Sequence, residues 1–277
     1  MPQKLLVFGG NGFLGRRICQ EAVTKGFQVV SLSKSGKAPS LGSPSDNHWM
    51  NEVQWERCDI FDPKTYYHQL QDRPDVVHSM GILMENENYK KNIRKPIGKI
   101  ASKYLQSDIL FGPNPLRRQD SKFNYEWMNK RSALILANSY SKILMESKGK
   151  NSQNLPSFAY ISADKKFPFI PEGYISSKRE AEIELFKYDD IFRPIIIRPG
   201  FMFDEIEDSG DAKSYIQTVL ELLNCGNGII FEKKFKFIND MIRPTVSTQK
   251  VGRCVIKNII ERYNTMNIIE LEDIINM

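Results

Sequence analysis

The first 32 residues alternate between apolar runs and one amphipathic stretch. Residues 5–8 are four consecutive apolar side chains, typical of a strand that is buried on both faces of a sheet. Residues 13–25 fit a helix that ends at Gly26. The apolar side chains of this helix share one face: Leu14, Ile18, Ala22 and Val23. Residues 27–32 are again mostly apolar, so the order predicts strand, helix and strand.

The same alternation continues to about residue 200. Further strands are predicted at residues 53–58, 75–81, 158–161 and 194–197. Further helices are predicted at residues 65–70, 125–141 and 174–187. Because strands and helices alternate, we expect an α/β fold with a Rossmann-type doubly wound parallel sheet. We place this domain at residues 1–200 and expect residues 201–277 to form a small C-terminal subdomain that faces the substrate.

A glycine-rich turn joins the first predicted strand to the first predicted helix. It reads Gly9, Gly10, Asn11, Gly12, Phe13, Leu14 and Gly15. Glycines let the backbone approach a pyrophosphate, and the helix N-terminus adds N–H groups and a positive dipole end. Because strand, turn and helix follow in this order, the pattern predicts a dinucleotide-binding site.

A second chemical signal is Tyr174, followed four residues later by Lys178. Residues four apart share one face of a helix, so both side chains can enter one site. A nearby cation lowers the pKa of a phenol, which makes the tyrosine a general acid or base near neutral pH. The alternative is a packed aromatic ring with a solvent-facing lysine. The catalytic interpretation is favoured because the pair follows the strand predicted at residues 158–161.

Composition and charge narrow the class of protein. The 277 residues are 41% hydrophobic, and no run approaches the roughly 20 apolar residues that cross a bilayer. The first strand begins so close to Met1 that we expect no cleavable signal or conventional transit peptide, although an internal import signal stays open. The four cysteines lack metal or redox spacing, so we expect no metal site.

Residues 84–122 interrupt the alternation and carry most of the net charge. Nine Lys and Arg residues against four Asp and Glu residues give +5 of the formal +6. Without a recognition motif, nucleic acid is not an expected partner. The insertion is either a solvated loop or a docking surface for an acidic protein or an anionic lipid. Residues 215–223, an apolar stretch, either pack on the sheet or, with the lysines at 233–236, contact a lipid or prenylated substrate.

These motifs together resemble the short-chain dehydrogenase/reductase superfamily, in its extended and atypical branch. The resemblance implies cofactor contacts beyond the glycine turn: Asp59 and Ile60 at the adenine, Met80 and Gly81 at the ribose, and Arg198, Pro199 and Gly200 at the nicotinamide. It also implies that Asn129 supports the active-site lysine. Tyr174 and Lys178 match the catalytic pair of the superfamily.

The chain departs from the superfamily after the strand predicted at residues 158–161. Members usually place there a serine or threonine that polarises the substrate carbonyl. Ser162 is the candidate in this chain, but the position falls alternatively on Ala163 or Asp164, which carry no hydroxyl. Without this donor a developing oxyanion loses a hydrogen bond. The resemblance therefore supports nucleotide binding more firmly than catalysis.

A closer similarity is to the dehydrogenase-like proteins of fungal mitochondrial coenzyme Q (ubiquinone) biosynthesis, which are related to a dehydrogenase-like accessory subunit of respiratory complex I. It includes loop segments such as residues 85–90 and 112–116. The similarity implies a mitochondrial protein on the matrix side of the inner membrane. Its partners would be the proteins of the coenzyme Q biosynthetic complex, with peripheral contact to the membrane.

Three functions follow as alternatives. The first is an NAD(P)-dependent oxidoreductase that reduces or oxidises a quinone-ring or prenylated intermediate. The second is a non-catalytic nucleotide-binding subunit that stabilises or regulates the coenzyme Q complex. The third is an accessory subunit like that of complex I.

The end of the second predicted strand bears on the choice of nucleotide. Sites that prefer NAD usually place Asp or Glu there to hold the ribose 2'-hydroxyl, whereas this chain has Ser33 and Lys34. Lys34, together with Arg16 or Arg17, could pair with a 2'-phosphate. We therefore expect NADP(H) to be favoured over NAD(H).

Overall fold

A seven-stranded parallel sheet forms the centre of the computed structural model, which describes residues 2–40, 48–83, 122–146, 155–164, 171–205, 244–262 and 268–277. The strands of this sheet are β1 (Lys4–Phe8), β2 (Gln28–Ser33), β3 (Val53–Arg57), β4 (Asp75–His78), β5 (Ser157–Ile161), β6 (Arg193–Ile197) and β9 (Ile268–Ile269). They follow the order β3-β2-β1-β4-β5-β6-β9. Two further strands, β7 (Met202–Phe203) and β8 (Val246–Ser247), pair with each other. The predicted Rossmann-type sheet is confirmed.

Helices cover both faces of the sheet. They are α1 (Gly15–Thr24), α2 (Tyr67–Leu70), α3 (Ser132–Glu146), α4 (Glu172–Phe186), α5 (Thr248–Ile260) and α6 (Leu271–Asn276). Single 3₁₀ turns lie at His48–Glu52 and Pro63–Thr65. The helix predicted at residues 125–141 is divided, because a π-helical turn at Glu126–Arg131 precedes α3.

The pleat of β1 explains why its apolar run is uninterrupted. Leu5 and Val7 point to one core, with side chains of α1, α5 and α6, while Leu6 and Phe8 point to the other, with side chains of α2, α3 and α4. All four are fully buried. A central parallel strand is covered on both faces, so it needs apolar side chains at every position.

Residues beyond 200 also contribute to the sheet and its helical layer. Strand β9 pairs in parallel with β6, placing Ile268 opposite Ile196. Helix α5 packs so closely on α1 that a Cβ on Gly252 would lie 3.0 Å from the Arg17 carbonyl oxygen. The predicted division at residue 200 stays a prediction, since residues 206–243 lie outside the described residues.

The carboxyl ends of the parallel strands meet at one edge of the sheet, and the predicted motifs follow these ends. The basic insertion at residues 84–122 lies outside the described residues apart from Lys122, and the stretch at 215–236 lies wholly outside them. None of the helices in the described segments combines the length and the apolar character that a bilayer crossing requires.

Candidate functional site

The glycine-rich turn lies at the carboxyl end of β1. Gly9 has a φ of +84°, and its N–H donates to the Leu32 carbonyl at 2.8 Å. A Cβ on Gly10 would lie 2.4 Å from Ser31 Oγ, and a Cβ on Gly15 would lie 2.1 Å from the Gly9 carbonyl oxygen. Side chains are therefore excluded where α1 meets the strand. This leaves backbone N–H groups and the positive end of α1 side by side, an arrangement that fits a pyrophosphate.

The middle of the turn contacts the loop that follows β2. Asn11 Nδ2 donates to Ser35 Oγ at 2.9 Å, and the Gly36 N–H donates to Ser33 Oγ at 3.2 Å. Lys34 lies exposed in the same loop. In the described part of this loop, residues 34–40, the polar side chains are hydroxyl groups and lysines without a carboxylate, and this is where the adenosine ribose is expected.

Arg16 and Arg17 are both paired with Asp204, so their contact with a 2'-phosphate stays a prediction and would require this pairing to open. Arg17 binds Asp204 through two hydrogen bonds, Nε to Oδ2 at 2.8 Å and Nη2 to Oδ1 at 2.7 Å. Arg16 Nη2 donates to the same Oδ2 at 2.9 Å. All three side chains are buried. Asp204, which binds both arginines, lies far along the chain from the glycine-rich turn. The turn by itself therefore does not predict this contact.

The predicted adenine contacts follow β3. Asp59 Oδ1 accepts the Phe61 N–H at 3.0 Å, which closes a tight turn. Its own N–H donates to Thr65 Oγ1 at 3.1 Å. Asp59 is exposed and Ile60 is buried beneath it. The turn thus holds a carboxylate at the edge of the sheet, and its contact with an adenine base stays a prediction.

Lys178 is buried at the ends of β4 and β5. Its Nζ donates to the Ile161 carbonyl at 2.7 Å and to the Met80 carbonyl at 3.5 Å. A Cβ on Gly81 would lie 3.0 Å both from this Nζ and from Asn129 Oδ1, so a larger residue would require one of these side chains to shift. Burial lowers the pKa of Lys178 to about 7. The amine is therefore poised to change charge near neutral pH.

Asn129 supports the same place from the π-helical turn. Its Oδ1 accepts the Ile82 N–H at 2.8 Å, and its Nδ2 donates to the Ile82 carbonyl at 3.2 Å and to Ser177 Oγ at 3.3 Å. Ser177 Oγ in turn donates to the Tyr174 carbonyl at 2.9 Å. The predicted residues Gly81, Asn129 and Lys178 are thus brought together.

Tyr174 lies in the first turns of α4 and is half-buried. Its ring meets that of Tyr125 edge to face, with the centroids 6.2 Å apart. The Tyr125 hydroxyl donates to the Leu83 carbonyl at 2.9 Å. A Cβ on Gly173 would lie 3.1 Å from the Tyr125 ring. Tyr125 therefore forms an aromatic wall beside the predicted acid/base.

Ser162 does not present a free hydroxyl proton to a substrate. Its Oγ donates to Glu182, a buried carboxylate on α4, and accepts from Arg179 Nη1 at 3.2 Å. A hydroxyl has one proton to donate. Its proposed role as oxyanion donor would require this bond to Glu182 to break.

The two alternative positions are tied to Arg179 through their backbones. Arg179 Nη2 donates to the carbonyl of Ala163 at 2.8 Å and to that of Asp164 at 3.2 Å. The Asp164 N–H donates to the Pro199 carbonyl at 2.9 Å. The ends of β5 and β6 are thereby joined beside the predicted nicotinamide position.

Arg198 is held by two carboxylates. Its Nη2 and Nε donate to Glu182 at 2.5 and 3.1 Å, and its Nη1 donates to Glu270 at 2.6 Å. A Cβ on the following Gly200 would lie 2.9 Å from the Leu271 side chain. The Arg198 guanidinium thus braces α4 against the C-terminal segment. The cofactor contacts of Arg198, Pro199 and Gly200 stay predictions.

Several residues that shape the site were not predicted as site residues from the sequence. Glu182 could have been found, since it lies four residues after Lys178 and hence on the same face of α4. Asp204, Tyr125 and Tyr160 carry no local signal, because their partners are distant along the chain.

Comparisons with known proteins agree with this architecture. The sequence model of the NAD dependent epimerase/dehydratase family matches residues 5–95. A short-chain type dehydrogenase/reductase from Mycobacterium ulcerans aligns with a TM-score of 0.57 at 12% identity, covering 99% of this chain and 90% of that one. A variant of ElxO with NADPH bound aligns with a TM-score of 0.55 at 12% identity, covering 98% and 97%. At identities this low, the similarity to these structures supports the fold alone.

The sheet order and the glycine turn together define a Rossmann-type α/β fold, similar to that of short-chain dehydrogenases and epimerases. The chain is also 54% identical over 278 residues to MIOREX complex component 2 of Saccharomyces cerevisiae, with 99% of each chain covered. At that identity and coverage, the chain belongs to the family of MIOREX complex component 2.

Proposed function

We propose that this protein binds a nicotinamide dinucleotide along the carboxyl edge of its sheet and prefers NADP(H). The observation that carries the proposal is the continuity of the site: a Cβ on Gly9 would lie 3.0 Å from Met80 Cγ, so the glycine turn touches the turn that reaches Lys178. Ser33 and Lys34 lie at one end of this edge, and Tyr174 lies towards the other. A dinucleotide is extended enough to need both ends.

The preference for NADP(H) rests on Lys34 alone, since Arg16 and Arg17 are paired with Asp204. In the test, the wild type is titrated calorimetrically with NADPH and with NADH. Lys34→Glu is expected to weaken NADPH binding about tenfold or more and to change NADH binding little, because a 2'-phosphate loses a charge-assisted partner and meets a carboxylate. The matched control is Lys25→Glu, which reverses the charge of an exposed lysine directly after α1. Equal effects on both nucleotides would contradict the assignment.

The chemistry proposed for the site is proton transfer by Tyr174, with Lys178 lowering the pKa of the phenol and holding the ribose. The nucleotide, when bound, donates or accepts a hydride. Tyr174 donates or accepts the proton at its Oη, and Asn129 orients the turn around Lys178. The wall formed by Tyr125 favours a flat ring beside Tyr174, which suits a quinone-ring or prenylated aromatic intermediate.

The proposed setting is coenzyme Q biosynthesis in mitochondria, on the matrix side of the inner membrane and among the proteins of the coenzyme Q complex. Support comes from the similarity of loop segments described above. The Saccharomyces cerevisiae relative is itself named as a component of a complex, MIOREX, which favours work within an assembly.

A second candidate is a nucleotide-binding subunit without turnover, favoured by the bond between Ser162 and Glu182. Tyr174→Phe separates the two candidates, because it removes only the transferable proton. For an enzyme we expect unchanged NADPH affinity and a loss of cellular coenzyme Q of at least about tenfold in cells that depend on the variant. Full rescue of coenzyme Q by Tyr174→Phe would establish the accessory role. Gly12→Asp places a negative charge where the pyrophosphate would bind. It is the control, because both candidate functions predict that this variant does not restore coenzyme Q.

A further inference from the structure

A buried pair of rings lies behind the Lys178 amine. His78 on β4 and Tyr160 on β5 are register partners, and their ring centroids are 5.5 Å apart. Both side chains are fully buried. Lys178 Nζ lies 4.8 Å from the Tyr160 ring centroid. At that distance the face of the ring attracts a cation.

The Tyr160 hydroxyl makes a different contact. It donates to the backbone carbonyl of Asn129 at 2.6 Å, within the π-helical turn. A π-helical turn bonds i→i−5 instead of i→i−4, and this change of pattern leaves a carbonyl without an intrahelical donor where the turn joins a regular helix. The Ser132 hydroxyl donates to the Met128 carbonyl at 2.8 Å. Tyr160 thereby ties the turn to the sheet.

We propose that Tyr160 is a positioning residue of the site, whose ring supports the Lys178 ammonium and whose hydroxyl fixes the π-helical turn that presents Asn129. The consequence for ribose binding rests on the nucleotide-binding function proposed above, whereas the contacts themselves belong to the protein alone. The ring and the hydroxyl of Tyr160 act on the same place. Asn129 Oδ1 and Lys178 Nζ lie at equal distances from the position that a Cβ on Gly81 would occupy.

The charged and titratable groups around the Lys178 amine leave a separate role for the Tyr160 ring. Glu182 on α4 and His78 on β4 act electrostatically on the amine or respond to it, and Tyr174, Glu182 and Arg179 on α4 act on the Tyr160 ring that it faces. The charges of the π-helical turn pair at the surface: Lys130 with Glu126 and Glu180, and Arg131 with Glu126. Burial, and then the charge of Lys178, lower the pKa of His78 to about 3, so the imidazole is neutral. Burial holds the pKa of Tyr160 well above its usual range. The ring is therefore a neutral group that favours the charged amine.

The ring is tested by measuring the pKa of Lys178 directly, with ¹³C NMR of the lysine ε-carbon in the full chain without nucleotide. Lys178→Met assigns the signal. Tyr160→Leu is expected to lower the pKa of Lys178 by roughly one unit, because a cation over a desolvated ring loses its partner. Tyr140→Leu is the matched control, since Tyr140 is also fully buried and donates to a backbone carbonyl, that of Pro74 at the amino edge of the sheet. A shift no larger than in the control would overturn the ring's role.

The hydroxyl is tested with Tyr160→Phe, which keeps the ring and the packing. The pKa of Lys178 is expected to stay within about 0.3 units of the wild type, since the ring face remains. Amide hydrogen exchange at residues 128–132 is expected to accelerate at least about threefold over Tyr140→Phe, because the turn loses its anchor. Unchanged exchange would overturn the hydroxyl's role.

A titration with NADPH then connects the two tests to function. In the wild type, binding is expected to weaken as pH rises from about 6 to about 8.5, because the neutral amine loses one donor and its charge. Tyr160→Leu is expected to move this midpoint to lower pH by the same interval as the NMR titration. A midpoint that stays in place while the NMR value moves would overturn the consequence for ribose binding. Absence of NADPH binding in the wild type at every pH would refute the nucleotide function and leave the NMR comparison intact.

Discussion

Lys178 shows how a single buried residue can oppose the stability of the fold that holds it. Its amine has two carbonyl partners, those of Ile161 and Met80, and is almost completely buried. Burial lowers its pKa to about 7, against an ordinary value of 10.5 in the unfolded chain. Between these two pKa values the unfolded state binds more protons than the folded state, so the free energy of unfolding rises with pH. Such a cost is expected where a site needs the charge.

Lys178→Met removes this dependence and is therefore expected to stabilise the protein below about pH 7. The advantage of the variant over the wild type should shrink as pH rises above 7, by up to about 1.4 kcal/mol per pH unit. Urea unfolding of both proteins between about pH 6 and about pH 9 measures the difference, in which the other titrating groups largely cancel. A difference that does not vary with pH would show that the folded and unfolded amines titrate alike.

At the scale of elements, the glycine-rich turn depends on helix α5 as well as on its own strand. Helix α1 begins at the turn, and Gly252 of α5 lies against the α1 backbone at Arg17. Close contact of two helix backbones requires a small residue at the crossing. Helix α5 thus sets the position of α1, whose N-terminus would face the pyrophosphate of the proposed nucleotide.

Gly252→Val is expected to destabilise the protein by about 1–3 kcal/mol, because the added atoms must push α5 away from α1. Arg253→Val is the matched control: it places the same β-branched residue at the neighbouring, exposed position of α5. Thermal and urea unfolding of the two variants give the comparison. Equal losses would attribute the effect to helix propensity and remove the packing argument.

At the scale of the whole molecule, Asp204 joins segments that are far apart in sequence. It binds Arg16 and Arg17 at the start of α1, and it accepts from Gln249 Nε2 of α5 at 2.9 Å. Asp204 has no exposed surface. Because a buried charge must be compensated, this carboxylate and the two guanidinium groups form one unit.

Asp204→Asn is expected to cost about 3–5 kcal/mol of stability, since it removes the buried anion that Arg16 and Arg17 share. Asp72→Asn is the control: Asp72 is a carboxylate with 70% of its side chain exposed, paired with Lys4 at 2.8 Å, and should change stability by no more than about 1 kcal/mol. In a double-mutant cycle with Arg17→Met, the two losses are expected to be less than additive by about 0.5–3 kcal/mol. Additive losses would mean that Asp204 and Arg17 act independently.

Much of the fold followed from local patterns, because each pattern has a local physical cause. The apolar run at residues 5–8, the glycine turn and the amphipathic face of α1 predict the first βαβ unit without reference to the rest of the chain. The strand at residues 158–161 and the helix of Tyr174 and Lys178 were predicted in the same way and occur at Ser157–Ile161 and Glu172–Phe186. Strand β9 was not predicted, since two residues are too short for periodicity to register.

Local patterns along the chain predict the order of the elements and the motif residues near the carboxyl edge, including Gly81, Asn129 and Lys178. The partners of the polar side chains depend instead on how distant segments pack. Arg16 and Arg17 both bind Asp204, and Ser162 and Arg198 both bind Glu182. The type of a side chain indicates what it can bind, but its partner depends on which distant segment is buried beside it. The reason is that a buried charge or hydrogen-bond donor must be paired with the groups within reach.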